Sequence, residues 1–224
     1  MRQTLICLML PLALAACGSG AKSIWAPDEA VQKAAYVSGK APSVTLYTVV
    51  STRTGAGGHS GLMIDGTQRV MFDPAGTWYH PYLPERNDVH YGVTERFRKF
   101  YIDYHARETY DVIEQTVPVS LETAELLRRR AEAYGAVGKM LCANAVSDIL
   151  YDAPGLESLP KTYFPVKLEK AFAELPGASY RLYHDKDPDN NHGVLLVQQS
   201  NPIFGPTEDD TAAAPRVATA QANP

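Results

Sequence analysis

The chain of 224 residues has few cysteines, only three, and it has no run of basic residues longer than the three arginines at 128–130. Its formal net charge is -4, and a mildly acidic chain without long basic runs argues against nucleic-acid binding. Its histidines are scattered, at spacings that match no metal-ligand pattern. We find no internal repeat, and the N-terminal apolar run is too short to span a bilayer as a helix. We therefore expect no nucleic-acid partner, no metal and no cofactor.

The first residues have the pattern of an export signal. Arg2 provides a positive start, residues 5–15 are apolar, and the small residues LAAC end the segment. LAAC resembles a bacterial lipobox, a signal that is cut before its cysteine, which is then lipidated. The resemblance implies a signal peptide over residues 1–16 and a lipid anchor on Cys17. An ordinary secretory peptide or a buried strand is the alternative interpretation.

The lipobox resemblance also accounts for the cysteines. Cys7 would leave with the signal peptide and Cys17 would carry the lipid, so Cys142 would have no intramolecular partner in an oxidising compartment. Gly18, and no Asp, follows the lipidated position, which resembles the outer-membrane version of the signal. We therefore expect a lipoprotein of the outer membrane that faces the periplasm.

Composition divides the rest of the chain into three parts. Residues 17–42 are predicted to be the lipidated cysteine and a tether, with a short helix over 27–37. Residues 204–224 are rich in Ala, Pro and Thr and are predicted to be disordered. The remaining residues, 43–203, are of a usual size for one hydrophobic core.

Strands come first within that domain, and helices cluster after them. Strands are predicted at residues 43–50, 59–65, 69–73, 109–119, 179–184 and 193–199. Helices are predicted at residues 94–105, 121–134, 139–152 and 165–175. Ser120 and Gly135 have the residue types that begin and end a helix. The order predicts an α+β domain with a mostly antiparallel sheet.

The helix over residues 139–152 is the chemically informative one. Cys142 lies in its first turn and shares an apolar stripe with Val146 and Ile149. The positive end of the helix dipole favours a thiolate there, which can make the cysteine a nucleophile. A small buried core residue is the alternative interpretation, because free Cys is among the most buried residue types.

A cysteine nucleophile needs a base within reach. His59 is the candidate, because it follows a glycine-rich loop and opens a strand beside Ser60 and Gly61, which leave room above its ring. An exposed histidine at a strand end is the alternative. The remaining histidines are interpreted as solvated or structural: His80, His90, His105, His184 and His192.

Four segments together resemble a known family: GHSGLMIDG, MFDPAG, VPVS before a helix, and KMLCANAVSDIL. They resemble the circularly permuted branch of the NlpC-type papain-like cysteine hydrolases, in which the histidine strand precedes the cysteine helix. That branch includes lipoproteins of the YaeF type and is related to lecithin:retinol acyltransferase-like enzymes. The resemblance covers residues 44–183. It implies that Cys142 attacks a carbonyl, that His59 moves the proton, and that a polar residue on the next strand orients His59.

Asp73 is the candidate for the orienting residue, because MFDPAG matches the strand after the histidine. A three-residue connection over 65–67 would place Asp73 directly opposite His59, whereas a two-residue turn would place Phe72 there. Gln68 is a fallback near the turn. An Asp before Pro can also simply begin a turn.

The chain departs from the family pattern around the cysteine. The non-permuted peptidases show Asp-Cys-Ser-Gly, but here Leu141 precedes Cys142 and Ala143 follows it. Oxyanion binding and substrate class therefore stay open. The backbone N–H of Cys142 is one oxyanion candidate, since an N-terminal helical amide has no intrahelical partner. The Tyr47 hydroxyl is a second candidate, although a tyrosine there is more often a core residue.

The loop over residues 74–94 carries several aromatic side chains among prolines, which suits either a groove wall or packing over the sheet edge. They are Trp78, Tyr79, Tyr82 and Tyr91.

The function expected from the sequence is a thiol hydrolase that cleaves an amide in cell-wall peptides through an acyl-enzyme. The alternatives are hydrolysis or transfer of lipid acyl esters, and an inactive envelope-binding module of the same fold.

Overall fold

The structure is a computed structural model that describes residues 21–200, with side chains described as far as residue 196. The predicted signal peptide, the predicted lipid site Cys17 and the predicted disordered tail lie outside these residues. Within residues 21–200, none of the helices has the length and apolarity needed to cross a bilayer.

A seven-stranded antiparallel sheet forms the centre of the domain, in the order β4-β5-β3-β2-β1-β6-β7. The strands are β1 (Ser43–Ser51), β2 (Gly57–Asp65), β3 (Arg69–Phe72), β4 (Glu85–Arg86), β5 (Val89–Tyr91), β6 (Tyr110–Pro118) and β7 (Ser179–Tyr183). β1 pairs along its length with β2 on one side and with β6 on the other. The α+β class and the antiparallel sheet predicted from the sequence are therefore confirmed.

The described part of the chain forms six helices: α1 (Asp28–Ala34), α2 (Glu95–His105), α3 (Leu121–Tyr134), α4 (Cys142–Leu150), α5 (Pro165–Ala173) and α6 (Asn191–Ser200). The predicted ends of α3 are confirmed. The Ser120 hydroxyl accepts a hydrogen bond from the Thr123 N–H at 3.0 Å, and Gly135 ends the helix with a φ of 89°.

The two faces of the sheet carry separate cores, because side chains alternate along each strand. Leu46 and Leu62 lie on the face that packs against α3, α4 and α5. Tyr47 and Met63 lie on the other face, which packs against the aromatic side of α2. The cysteine helix α4 thus lies on one face, while α2 lies on the other.

Two stretches differ from the predicted secondary structure. Residues 193–199 were predicted to be a strand, but they lie in the helix α6. The run GVLLVQQ is short and apolar, and such a run does not distinguish a strand from a buried helix by its periodicity. The loop over residues 74–94 contains the two short strands β4 and β5. They were not predicted, because they are short and the residues around them are rich in Pro and Gly.

The described part of the predicted tether lies against the β4 edge of the sheet. The Ala26 N–H donates to the Glu85 carbonyl at 2.9 Å, and the Asn87 N–H donates to the Ile24 carbonyl at 3.0 Å. The Arg86 guanidinium lies over the Trp25 ring at 4.7 Å from its centre. The chain therefore contacts the domain well before residue 43, the first residue of the predicted domain.

Candidate active site

The β2–β3 hairpin places Asp73 on the same face as His59. Leu62 pairs with Phe72 and Asp65 pairs with Arg69, so the connection is residues 66–68. The next position in this register sets Asp73 opposite Gly61, diagonal to His59. Both predicted registers are therefore wrong, because the Asp65-Gly66 pair does not form the tight turn that its sequence favours.

Asp73 nevertheless reaches the histidine. The His59 Nε2 atom lies 2.6 Å from Asp73 Oδ1, and the Asp73 side chain is almost fully buried. The Tyr101 hydroxyl, from α2, donates a second hydrogen bond to the same carboxylate oxygen at 2.8 Å. A carboxylate oxygen only accepts, so Nε2 carries the proton in this hydrogen bond. The other ring nitrogen, Nδ1, is then free to act toward the thiol.

Gly61 makes the space in which this carboxylate and hydroxyl meet. A Cβ atom at position 61 would lie 2.2 Å from the Tyr101 hydroxyl oxygen and 3.4 Å from Asp73 Oδ1. Such a separation from the hydroxyl oxygen is far below van der Waals contact. Glycine at position 61 therefore leaves room on β2 for the hydrogen bond between Tyr101 and Asp73.

Cys142 is the first residue of α4, and its thiol interacts with the His59 side chain. The backbone of Ser60 and Ala143 also interacts with the sulfur and favours its ionised form. The structure therefore brings together Cys142, His59 and Asp73, although they belong to three different elements. Cys142 keeps 7 % of its surface exposed and the His59 side chain keeps 14 %, so the pair is covered but reaches solvent.

The ionisation of the three groups is coupled. Burial would lower the pKa of His59, but the charge and hydrogen bond of Asp73, with a smaller effect from Cys142, raise the pKa of His59 to about 10. Burial would raise the pKa of Asp73, but the neighbouring His59 lowers the pKa of Asp73 to about 2. Burial also opposes ionisation of Cys142, yet the hydrogen bond and charge of His59 lower the pKa of the thiol. These shifts favour a thiolate beside an imidazolium over a neutral thiol beside a neutral imidazole.

His105 is a further residue of the site that the sequence did not identify. Its ring stacks on the His59 ring with 5.4 Å between centres and 6° between planes. Its Nδ1 lies 2.8 Å from the Tyr101 carbonyl oxygen, which can only accept, so Nδ1 carries the proton. Burial lowers the pKa of His105 to about 4, so the ring is neutral near pH 7.

His59, Asp73 and His105 also offer three ligand atoms within 4.8 Å of one another. The sequence spacing gave no sign of this group, because α2 brings His105 to the strands only in the folded chain. The two closest atoms are 2.6 Å apart. Two ligands on one zinc ion, each about 2 Å from it in a tetrahedral arrangement, lie farther apart than that. The observed geometry is that of a shared proton.

Tyr47, predicted as an oxyanion candidate, is a core residue. It is fully buried, its ring packs edge-on against Tyr101 at 5.2 Å, and its hydroxyl contacts Met63 Sδ at 3.9 Å. Glu114 and Arg98 also interact with this hydroxyl, on the sheet face away from α4. The second oxyanion donor is therefore not Tyr47. The N–H of Cys142 remains a candidate, since it begins the helix.

The remaining candidates from the sequence are Gln68 and the aromatic residues of the loop over residues 74–94. Gln68 lies in the β2–β3 connection. In the aromatic loop, Trp78 and Tyr91 are buried, whereas Tyr79 and Tyr82 are about half exposed. Trp78 and Tyr91 therefore pack beneath the loop, as the packing interpretation expects. Tyr79 and Tyr82 are accessible at its surface, as a groove wall requires.

Two cavities in the described residues lie away from the Cys142 sulfur. One of about 310 Å³ lies between Lys40, Arg69 and Glu114, at the far end of β2 from His59. The other, of about 500 Å³, lies beside Asp103 and Asp187. The lining residues of neither cavity include Cys142 or His59. The thiol is thus approached from the surface of the domain and not from either cavity.

The fold and the site define a class: an α+β domain in which a cysteine at a helix N-terminus meets a histidine–aspartate pair on a sheet. Comparisons of the chain with protein-family models, with curated proteins and with solved structures found no match.

Proposed function

We propose that the protein is a papain-like thiol hydrolase that forms an acyl-enzyme on Cys142. The observation that carries the proposal is the position of the His59 ring, which is hydrogen-bonded through Nε2 to Asp73 and interacts on its other side with the Cys142 thiol. A ring held in this way can accept the thiol proton at Nδ1, and the carboxylate stabilises the resulting imidazolium.

The proposed reaction has two balanced steps. The Cys142 thiolate adds to the substrate carbonyl carbon, the bond to the leaving group breaks, and the His59 imidazolium gives its Nδ1 proton to that group. Water then gives a proton to His59 and attacks the thioester, which releases the acid and restores the Cys142 thiolate beside the protonated His59. The N–H of Cys142 is placed to donate to the developing oxyanion.

The favoured bond is an amide in cell-wall peptides. We propose that the lipobox directs a lipid onto Cys17 and holds the domain on the periplasmic face of the outer membrane, beside that polymer. Replacing Cys17 by Ser is expected to move the protein from the membrane fraction to the soluble fraction. Mass spectrometry of the N-terminal peptide would show the diacylated cysteine in the wild type only.

A lipid acyl ester is the second candidate substrate, and one observation favours it. The Phe164 side chain is 69 % exposed, and it precedes Pro165, which packs against β2 at Gly57, two residues before His59. An exposed aromatic side chain next to a residue that packs near the start of β2 suits an apolar substrate group. Digestion of purified muropeptides and of a synthetic phospholipid side by side distinguishes the candidates: peptide fragments support the first, and released fatty acid supports the second.

Thiol reactivity tests whether the site is catalytic or only a binding module. Iodoacetamide is expected to label Cys142 quickly near neutral pH, and roughly tenfold or more slowly in His59→Ala, because the imidazolium that stabilises the thiolate is lost. His184→Ala is the matched control, since His184 pairs with Asp111 on the surface and is expected to leave the rate unchanged. Slow labelling that does not depend on His59 would support an inactive binding module instead.

A further inference from the structure

We propose that the face of the domain formed by Ile24, Trp25, Met140 and Leu141 lies against the lipid bilayer, so that the Cys142 site opens at the membrane surface. We call these four residues the apolar face. The proposal rests on the lipid proposed for Cys17, and it adds the orientation of the domain, which the lipid alone does not determine.

The first step is the position of the N-terminal chain relative to the site. The turn between β4 and β5 contacts both the N-terminal segment and the elements that carry the Cys142 site. The Asn87 N–H donates to the Ile24 carbonyl at 3.0 Å, and the Val137 N–H donates to Asp88 Oδ2 at 2.8 Å. The Asp88 carbonyl also accepts from the Asp73 N–H at 2.9 Å. One two-residue turn therefore joins the N-terminal segment, the strand end that bears Asp73 and the loop that leads into α4.

The second step is the length of the anchor. If Cys17 is lipidated, three residues lie between it and Ala21, the first described residue, so the two are four residue steps apart. Four residues span about 14 Å at most when fully extended. The acyl chains lie in the bilayer, so Ala21 stays within about this distance of the membrane surface. Ile24, three residues later, already contacts the turn between β4 and β5. A spacer this short holds one side of the domain toward the lipid.

The third step is the chemistry of that side. Trp25 is 62 % exposed and Met140 is 89 % exposed, and Ile24 and Leu141 are each more than a third exposed. Met140 has a φ of 68°, which is uncommon for a residue other than glycine and is best tolerated by Asn or Asp. The Met140 side chain contributes little to packing within the domain, because it is almost fully exposed. Its apolar side chain is suited to insertion among lipid acyl chains.

Charge on this side agrees with a phospholipid surface. Lys139 is exposed and directly precedes Met140, and Lys22 is exposed and lies two residues before Ile24. Exposed lysines beside inserted apolar side chains add attraction to anionic headgroups. We therefore commit to a bilayer containing anionic phospholipid as the occupant of the apolar face.

Tryptophan quenching tests the orientation in the full lipidated chain. The chain has two tryptophans, and Trp78 is buried, so Trp25→Phe leaves a protein with a shielded background signal. In that background Met140→Trp is compared with Tyr180→Trp, which lies on β7 at the opposite edge of the sheet and is also exposed. Each protein is reconstituted into vesicles of phosphatidylethanolamine and phosphatidylglycerol with brominated acyl chains.

Met140→Trp is expected to lose roughly twofold more emission than Tyr180→Trp, because side chains of an apolar face enter the headgroup and acyl boundary. Trp25 in the wild type is expected to be quenched as well. Equal quenching at 140 and 180 in a lipidated, vesicle-bound chain would overturn the orientation and leave the proposed hydrolase intact. A chain that carries no lipid and does not bind the vesicles would overturn the orientation together with the proposed anchor.

Discussion

At the scale of single residues, the His59 ring is held by its neighbours before any substrate binds. Asp73 fixes the ring through Nε2, and Tyr101 fixes Asp73 through the same oxygen. His105 covers one face of the ring. In the proposed reaction, a base held in this way loses little entropy when the reaction begins.

Replacing Asp73 by Asn tests this arrangement. In the wild type the thiolate–imidazolium pair persists from the lowered pKa of Cys142 up to the His59 pKa of about 10. Without the carboxylate charge the pKa of His59 falls, and the pKa of Cys142 rises because the imidazolium is less stable. Turnover is expected to fall roughly 10²- to 10⁴-fold, and the acid limb of the iodoacetamide rate profile is expected to move to higher pH.

The matched control for this change is Asp111→Asn, which removes the carboxylate partner of the surface residue His184. It is expected to leave both the turnover and the pH profile unchanged. An acid limb that stays in place in Asp73→Asn would show that Asp73 does not set the ionisation of the pair.

At the scale of elements, the sequence predicted most helices and their ends but not the pairing register. Ser120 and Gly135 identify the ends of α3 because caps act locally. The β2–β3 register depends on the connection, and residues 66–68 take a longer one than the Asp-Gly pair favours. The helix α6 was predicted to be a strand because its apolar run suits both forms.

The same limit applies to the site. Residue type and local pattern singled out Cys142 and His59 as candidates, and the resemblance of MFDPAG to the strand after the family's histidine singled out Asp73. Tyr101 and His105 were not identified, because their contribution depends on how α2 packs across the sheet. The apolar periodicity of α2 gives no sign that two of its side chains approach a histidine on β2.

Gly61→Ala tests whether β2 needs its glycine for the site. The added methyl group would collide with the Tyr101 hydroxyl, so either Tyr101 or the strand must move. The free energy of unfolding is expected to fall by about 1–3 kcal/mol in urea denaturation, as for other overpacked sites, and Cys142 labelling is expected to slow. Gly58→Ala is the control on the same strand, where the methyl group would lie 3.2 Å from the half-exposed Tyr110 ring. Equal effects of the two changes would argue against the steric role of Gly61.

At the scale of the whole molecule, buried neutral histidines link stability to pH. Burial lowers the pKa of His90 to about 4, and it has the same effect on His105. At pH values between the ordinary histidine pKa of 6.5 and the lowered pKa of about 4, these two histidines are protonated in the unfolded chain but neutral in the folded protein. Stability is therefore present above pH 6.5 and is lost as pH falls toward 4.

Chemical denaturation at several pH values measures this loss. Each of the two histidines is expected to account for about 3 kcal/mol between pH 6.5 and 4. His90→Gln is expected to remove about half of this pH dependence, whatever its effect on stability at pH 7. His184→Gln, at an exposed position, is expected to leave the pH dependence as in the wild type. An unchanged slope in His90→Gln would contradict the assignment.

The distance along the chain between β2 and α4 has a consequence for how the protein is made. In an unfolded polypeptide the imidazole and the sulfur are separate, and the cysteine reacts no faster than the same residue in a short peptide. Closing this loop has an entropic cost that grows with the length of the intervening chain. In the proposed mechanism the thiol therefore gains its reactivity only once that closure is complete, which spares unfinished molecules from premature alkylation and mispairing.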